Sequence, residues 1–257
     1  MLANQVAKQL VQGHLALLGS SNRDFPIPMG YWILCRKLFG LLTTEPDPLF
    51  PTFQSLQSRG DSLEIPQLKK ILAGELLGAW ALDAQTIKLL WELLWRDTPQ
   101  LILEFGSGGS TLLFAAYASL LSQRTGLACR VISLEADGEH KAAVERRLKE
   151  NNLGEASTIL QLGRDDRGVY DIAMLPDVLA GAAIDYVLVD GPSGPPGCRR
   201  DTLPAVLPFC KSGCRWLLDD AFRDGELEFL RSWRRFPKIK IEGIFPVGKG
   251  LAAGQVS

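Results

Sequence analysis

The segment LILEFGSGG at 101–109 limits the possible folds more than any other part of the chain. A five-residue, nearly all-apolar run has the length and character of a strand buried on both faces. The glycines at 106, 108 and 109 allow a tight turn out of it and close approach by another backbone or a ligand. A helix-like stretch at 110–122 follows directly. A strand that passes through a glycine turn into a helix opens a βαβ unit, and such a unit needs a parallel partner strand.

The chain from residue 82 onward supplies the partners. Apolar runs recur as RVISL (130–134), STILQL (157–162), YVLVD (186–190) and RWLLD (215–219). Helices are predicted at 139–151, near 200–210 and near 226–235, and a helix N-capped by Asp83 and running through Trp95 comes before them all. Two last strands, 238–243 and 250–256, have no helix between them, so one of the two must run antiparallel to the rest. The expected fold is α/β: a Rossmann-like, doubly wound, seven-stranded, mostly parallel sheet over 82–257, with helices on both faces.

Residues 1–81 have a different texture. Val6, Leu10, His14 and Leu17 recur at helical spacing, as do Leu68, Ile71, Leu72, Leu76 and Leu77, between prolines at 26, 28, 46, 48, 51 and 66. The expectation is a helical N-terminal extension packed on a neighbour or partner, which is compatible with a homo-oligomer. Its His14 fits a core position. Tyr31 and Trp32 are packing residues or line a pocket.

A net charge of -1 over 257 residues exerts no bulk pull toward nucleic acid or anionic membrane. The most apolar stretch, 29–42, is broken by Arg36 and Lys37 and falls short of a membrane span. No signal peptide is recognisable, so a cytoplasmic protein is expected. Five cysteines, an odd number without a CxxC pair, argue against a disulfide framework and against structural zinc.

In an open parallel sheet, ligands bind beyond the carboxyl ends of the strands. The residues expected there are Glu104 and Gly106 after the first strand, Glu135 after the second, Asp190 after the fourth, and Asp219 and Asp220 after the fifth. Ser107, Ser110 and Thr111 bring hydroxyl donors to a helix N-terminus. Thr111 occupies the last glycine position of a GxGxxG pattern, which weakens a dinucleotide reading. An acid such as Glu135 can accept both hydroxyls of a ribose. Carboxylates on strands about 4.8 Å apart raise one another's pKa and call for compensation, for which a hard divalent cation is one solution. The other reading has Asp219 and Asp220 capping the next helix. Arg199 and Arg200, after the GPSGPPG loop, either clamp an acidic acceptor or pair with Asp219 or Asp220. Arg164, Asp165, Asp166 and Arg167 read as a solvated charge run, and His140 as a solvent-facing residue of a charged helix.

Taken together, ILEFGSGGST, SLEAD, YVLVDGPSG and LLDDAFR resemble the class I S-adenosylmethionine-dependent methyltransferases over about residues 82–257. The resemblance implies a last strand that runs antiparallel. It also implies that Glu104 and the backbone of Gly106, Ser107, Gly108 and Gly109 face the methionine part of S-adenosylmethionine, with Glu135 on its ribose. The aspartates are similar in position to those of catechol-type O-methyltransferases, which hold Mg²⁺ through an Asp after the fourth strand and an Asp-Asn pair after the fifth. Asp190, Asp219 and Asp220 would be the metal ligands, although Asp220 replaces the Asn and Ser193 stands where that family has its lysine base. The implied activity is methyl transfer to an oxygen of a small molecule or glycan, with Asp190 as the base and Arg199 and Arg200 toward the acceptor. Two alternatives remain: an NAD-dependent oxidoreductase, which would want a third glycine near 111, and a non-catalytic nucleoside-binding or interaction module on the same fold.

Overall fold

The computed structural model describes Leu82 and residues 84–257, except 166, 167, 195, 196, 222, 246 and 248. The expected N-terminal extension, with His14, Tyr31 and Trp32, lies outside the described residues, as does the cap at Asp83.

Seven strands form one sheet: β1 (Leu101–Phe105), β2 (Arg130–Glu135), β3 (Ser157–Gln161), β4 (Ile184–Val189), β5 (Cys210–Leu218), β6 (Ile239–Phe245) and β7 (Leu251–Val256). Their order is β3-β2-β1-β4-β5-β7-β6. β1 to β5 pair in parallel. β7 is inserted between β5 and β6 and is antiparallel to both, so it is the reversed strand. The chain reverses direction on either side of β1, between β2 and β4, which makes the carboxyl end of β1 the topological switch point.

Side-chain alternation along the strands divides the core in two. Ile102, Val131, Tyr186, Leu188 and Leu217 face α1 (Ala84–Asp97), α2 (Gly109–Thr125) and α3 (Gly138–Glu150). Leu103, Phe105, Val187, Trp216 and Leu218 face α4 (Leu175–Leu179), α5 (Thr202–Val206) and α6 (Asp224–Trp233). Helix α2 is buried almost all round, with every residue from Ser110 to Ala118 inside, because α1 covers the side turned away from the sheet. Trp95 of α1 meets the Tyr117 ring edge-on at 5.3 Å. Helix α3 starts where its sequence dictates: the Asp137 carboxylate accepts from the amides of Glu139 (2.8 Å) and His140 (2.9 Å).

Two boundaries differ from expectation. The helix expected near 200–210 is only a short α5 followed by a single 3₁₀ turn at Leu207–Phe209. β5 begins at Cys210, five residues earlier than its apolar run. Residues 211–213 are exposed overhang that no hydrophobic pattern could mark; Cys210 pairs with Ile184, and Lys211 forms an ion pair with Asp185. The Asp185 carboxylate in turn accepts from the amides of Gln100 and Leu101, both at 2.7 Å, which ties the starts of β1, β4 and β5 together.

Cys129, Cys198, Cys210 and Cys214 are free thiols. Among the described residues no helix is long and apolar enough to cross a membrane.

Candidate active site

Glu104 lies second to last in β1, on the α2 side, and is completely buried. Its Oε2 accepts from the hydroxyls of Thr111 (2.6 Å) and Ser133 (2.7 Å). The Thr111 hydroxyl in turn accepts from the Gly108 amide at 2.9 Å. A glycine at 111 could do neither, so the departure from GxGxxG is a functional part of this turn. Among the described residues the Oε1 of Glu104 has no hydrogen-bond partner. Burial is the main reason its pKa is pushed up to about 7, and Asp190 adds a little, against the Ser110, Thr111 and Ser133 hydroxyls.

The glycine turn lies against the end of β4. Gly106, at φ +96°, has the Gly191 amide 3.1 Å from where a Cβ would stand. A Cβ on Gly191 would lie 2.8 Å from Gly106 N and Cα and 3.0 Å from the Tyr170 hydroxyl. The Phe105 carbonyl accepts from the amides of Asp190 (3.0 Å) and Gly191 (2.5 Å). The two strand ends thus meet backbone to backbone, with no side chain between them.

Glu135 ends β2 beside the turn. One carboxylate oxygen accepts from the Ser107 amide (3.2 Å) and hydroxyl (2.9 Å), the other from the amides of Ala136 (2.7 Å) and Asp137 (2.9 Å). His140, exposed on α3, also reaches the turn: its Nε2 lies 2.8 Å from the Ser107 carbonyl, where the N–H tautomer donates. The sequence gives His140 no such contact, since only the packing of α3 brings it beside residue 107.

Asp190 and Asp219 follow paired residues of β4 and β5, Val189 and Leu218. Carboxylate oxygens of Asp190, Asp219 and Asp220 come within 4.8 Å of one another. Neither aspartate caps α6, whose N-cap is Arg223 with no side-chain cap bond. Asp220 instead takes a left-handed backbone (φ 57°) and turns into the cluster. Burial raises the pKa of Asp190, and Asp220 raises it further against Arg199. Burial, with Asp190 and Asp220, also raises that of Asp219.

Three bases surround these acids. Arg199, only 4% exposed, has Nη1 3.2 Å from Asp220 Oδ2 and 3.3 Å from the Asp219 carbonyl, Nε 3.3 Å from the Pro192 carbonyl, and Nη2 3.6 Å from Asp190 Oδ1. Arg223 Nη1 lies 2.9 Å from Asp220 Oδ2, and Lys249 Nζ 3.8 Å from Asp220 Oδ1. Burial would lower the Arg199 pKa, but Asp190, Asp220, Asp219 and Glu226 outweigh it and keep the guanidinium charged. With Glu226, four acids face three bases, which leaves one negative charge against the two of a divalent ion. The donor set expected to hold Mg²⁺ therefore does not fit one as it stands, because a cation of the chain already lies among its oxygens.

The two expected acceptor arginines part company. Arg199 is turned inward onto the acids. The Arg200 side chain is exposed, while its carbonyl accepts from Trp233 Nε1 at 2.7 Å. Arg164 joins the loop after β4, donating to the Ser193 carbonyl at 2.7 Å with its guanidinium 5.8 Å from the centre of the Tyr170 ring. Ser133, Tyr170, Arg223 and Lys249 escaped the sequence reading. Only Ser133 carried a signal, as a polar residue inside an apolar run.

No protein-family model matches the chain. No curated protein matches it either. Solved structures do. A methyltransferase from Geobacter sulfurreducens shares 21% identity over 89% of this chain and 95% of its own, with a TM-score of 0.53. An O-methyltransferase from Bacillus cereus, solved with S-adenosylhomocysteine, shares 16% identity over 79% of this chain and 94% of its own, with a TM-score of 0.53. The O-methyltransferase TomG of Streptomyces achromogenes, solved with S-adenosylmethionine, shares 18% over 80% and 94%, with a TM-score of 0.51. With its strand order and reversed β7, the chain has the fold of the class I S-adenosylmethionine-dependent methyltransferases.

Proposed function

We propose that the chain is an S-adenosylmethionine-dependent methyltransferase acting on an oxygen of a small molecule or glycan. The observation that carries this reading is the turn at the switch point. Beneath it a buried carboxylate, Glu104, keeps one oxygen unpartnered among the described residues, and beside it stands a second acid, Glu135. A pyrophosphate would be repelled by that pair, whereas a cationic amino-acid group and a ribose are attracted. The structural neighbours solved with S-adenosylmethionine or S-adenosylhomocysteine support the same choice over NAD.

In this reading Glu104 and the backbone of Gly106, Ser107, Gly108 and Gly109 hold the methionine portion, and Glu135 exchanges some of its bonds to the turn for ribose hydroxyls. When bound, the cofactor supplies an electrophilic methyl group on sulfur. The chain's own part is to bring an acceptor oxygen into line and take its proton. Asp190 is the base: it stands at the switch point, is 22% exposed, and burial raises its proton affinity. No lysine is needed at 193 if Asp190 does this work. Arg200, exposed and next in sequence to Arg199, would attract a carboxylate, phosphate or acidic sugar on the acceptor.

The test combines calorimetry and turnover. S-adenosylhomocysteine binds and NAD does not, and with labelled S-adenosylmethionine an acidic metabolite pool yields labelled product that Asp190→Asn reduces at least about a hundredfold. Binding of NAD in place of S-adenosylhomocysteine would overturn the reading. Tight cofactor binding with no product from any acceptor pool would favour the non-catalytic module.

A further inference from the structure

We propose that Arg199 is the resident cation of the carboxylate centre, so that this site works without the divalent metal its acid pattern suggests. The inference rests on the methyl-transfer reading for its kinetic consequence, but its binding consequence stands apart.

The donor set around the guanidinium carries the argument. Two carboxylate oxygens, from Asp190 and Asp220, and two main-chain carbonyls, of Asp219 and Pro192, lie 3.2–3.6 Å from its nitrogens. Carboxylate and carbonyl oxygens are what a hard divalent cation selects. Here they face a planar, permanently charged fork that is itself buried. A metal held by Asp190, Asp219 and Asp220 would need one carboxylate oxygen of each within about 2.0–2.6 Å, and two of these three carboxylates already face the guanidinium. It would then stand against the buried guanidinium, and like charges that close repel.

Among the described residues the rest of the cluster leaves too little negative charge to offset that. Arg223 and Lys249 already flank Asp220, and with the buried Glu226 four carboxylates meet three positive side chains, one negative charge against the two of a divalent ion. Nor is Arg199 a swinging surface residue. Its backbone carbonyl accepts from the Thr202 hydroxyl at 2.7 Å at the start of α5, and its neighbour Cys198 donates to the same Pro192 carbonyl at 3.2 Å. The guanidinium is held where the loop after β4 delivers it.

Removing the guanidinium should therefore create the metal site that the native chain lacks. Mn²⁺ titration followed by electron paramagnetic resonance reads this directly. Native protein leaves the free-ion signal unchanged at millimolar Mn²⁺. Arg199→Met, of similar length and no charge, takes up one ion with affinity at least about tenfold higher, and Asp219→Asn in that background abolishes the uptake. Arg199→Lys, which keeps a charge, behaves as native protein and covers the case in which the Met variant does not fold. Stoichiometric Mn²⁺ binding by native protein that Mg²⁺ displaces would overturn the proposal, and so would a folded Arg199→Met that takes up none. Native S-adenosylhomocysteine affinity measured on the same samples separates the two ideas: its absence defeats the methyl-transfer reading, while the Mn²⁺ result still decides which cation sits among the acids. Where turnover is present, a chelator leaves kcat unchanged.

Discussion

Glu104 shows what one residue can impose on the whole chain. Its carboxyl pKa is about 7 in the folded protein against an ordinary 4.5. The folded state therefore holds the proton more tightly than the unfolded one, and stability contributed by this group is highest at low pH. It falls as pH rises from about 4.5 and levels off above about 7, a loss on the order of 3 kcal/mol. Glu104→Gln keeps a carbonyl for the Thr111 and Ser133 hydroxyls but cannot ionise. Urea unfolding should find the ligand-free variant flatter between pH 5 and pH 8 than native protein; equal slopes would mean that Glu104 is not the group responsible. A cationic cofactor group favours the ionised form, so native affinity for S-adenosylmethionine should tighten from pH 6 to pH 8, and the Gln variant should lose that dependence. Thr111→Val is the companion test. It leaves the Gly108 amide without its acceptor and Glu104 without one donor, which should cost about 1–3 kcal/mol in unfolding free energy. The sequence displayed Glu104 and Thr111 at informative positions, but not that one buried oxygen would join Thr111 to Ser133, 22 residues further on.

At the scale of elements, legibility followed burial. β1, β2 and β4 were readable as apolar runs; the sequence required one of the last two strands to turn back, and only the family resemblance pointed to β7. β5 was half hidden because its first residues lie in solvent. The short α4 carried no periodicity long enough to read. One element-level contact is unforgiving. On β7, a Cβ at Gly254 would lie 2.0 Å from the Lys240 carbonyl and 2.3 Å from the Trp216 ring, between β5 and β6. Neither a strand backbone nor a buried indole can yield that much, so Gly254→Ala should destabilise by at least about 3 kcal/mol. Chemical denaturation measures this; a change under about 1 kcal/mol would show that the strands part more easily than their packing implies. The ion pairs of Arg215 with Asp97 and Glu242 join α1 and β6 to β5, a set that no local pattern announces.

For the molecule as a whole, one equilibrium summarises the functional reading. A ligand that binds only the folded state at about 100 times its Kd stabilises it by about 2.7 kcal/mol. For a chain of this size that is a rise in Tm of roughly 5–10 °C. S-adenosylhomocysteine should produce such a rise and NAD should not, while Mg²⁺ alone should leave Tm unchanged. The alternation of strands and helices, the glycine turn and the acids at the strand ends were all present in the linear chain, because burial on two faces and tight turns each leave a local signature. What balances those acids was there only in part: Arg199 read as a partner of Asp219 or Asp220 or as an acceptor clamp, and Arg223 and Lys249 gave no sign. While their neighbours were unknown, Asp190, Asp219 and Asp220 read as metal ligands, or Asp219 and Asp220 as helix caps. Arg199, Arg223 and Lys249 come from three separate connections, and only the closing of the sheet brings them to the same few ångströms. Electrostatic compensation depends on distance in space, and spacing along the chain does not encode it.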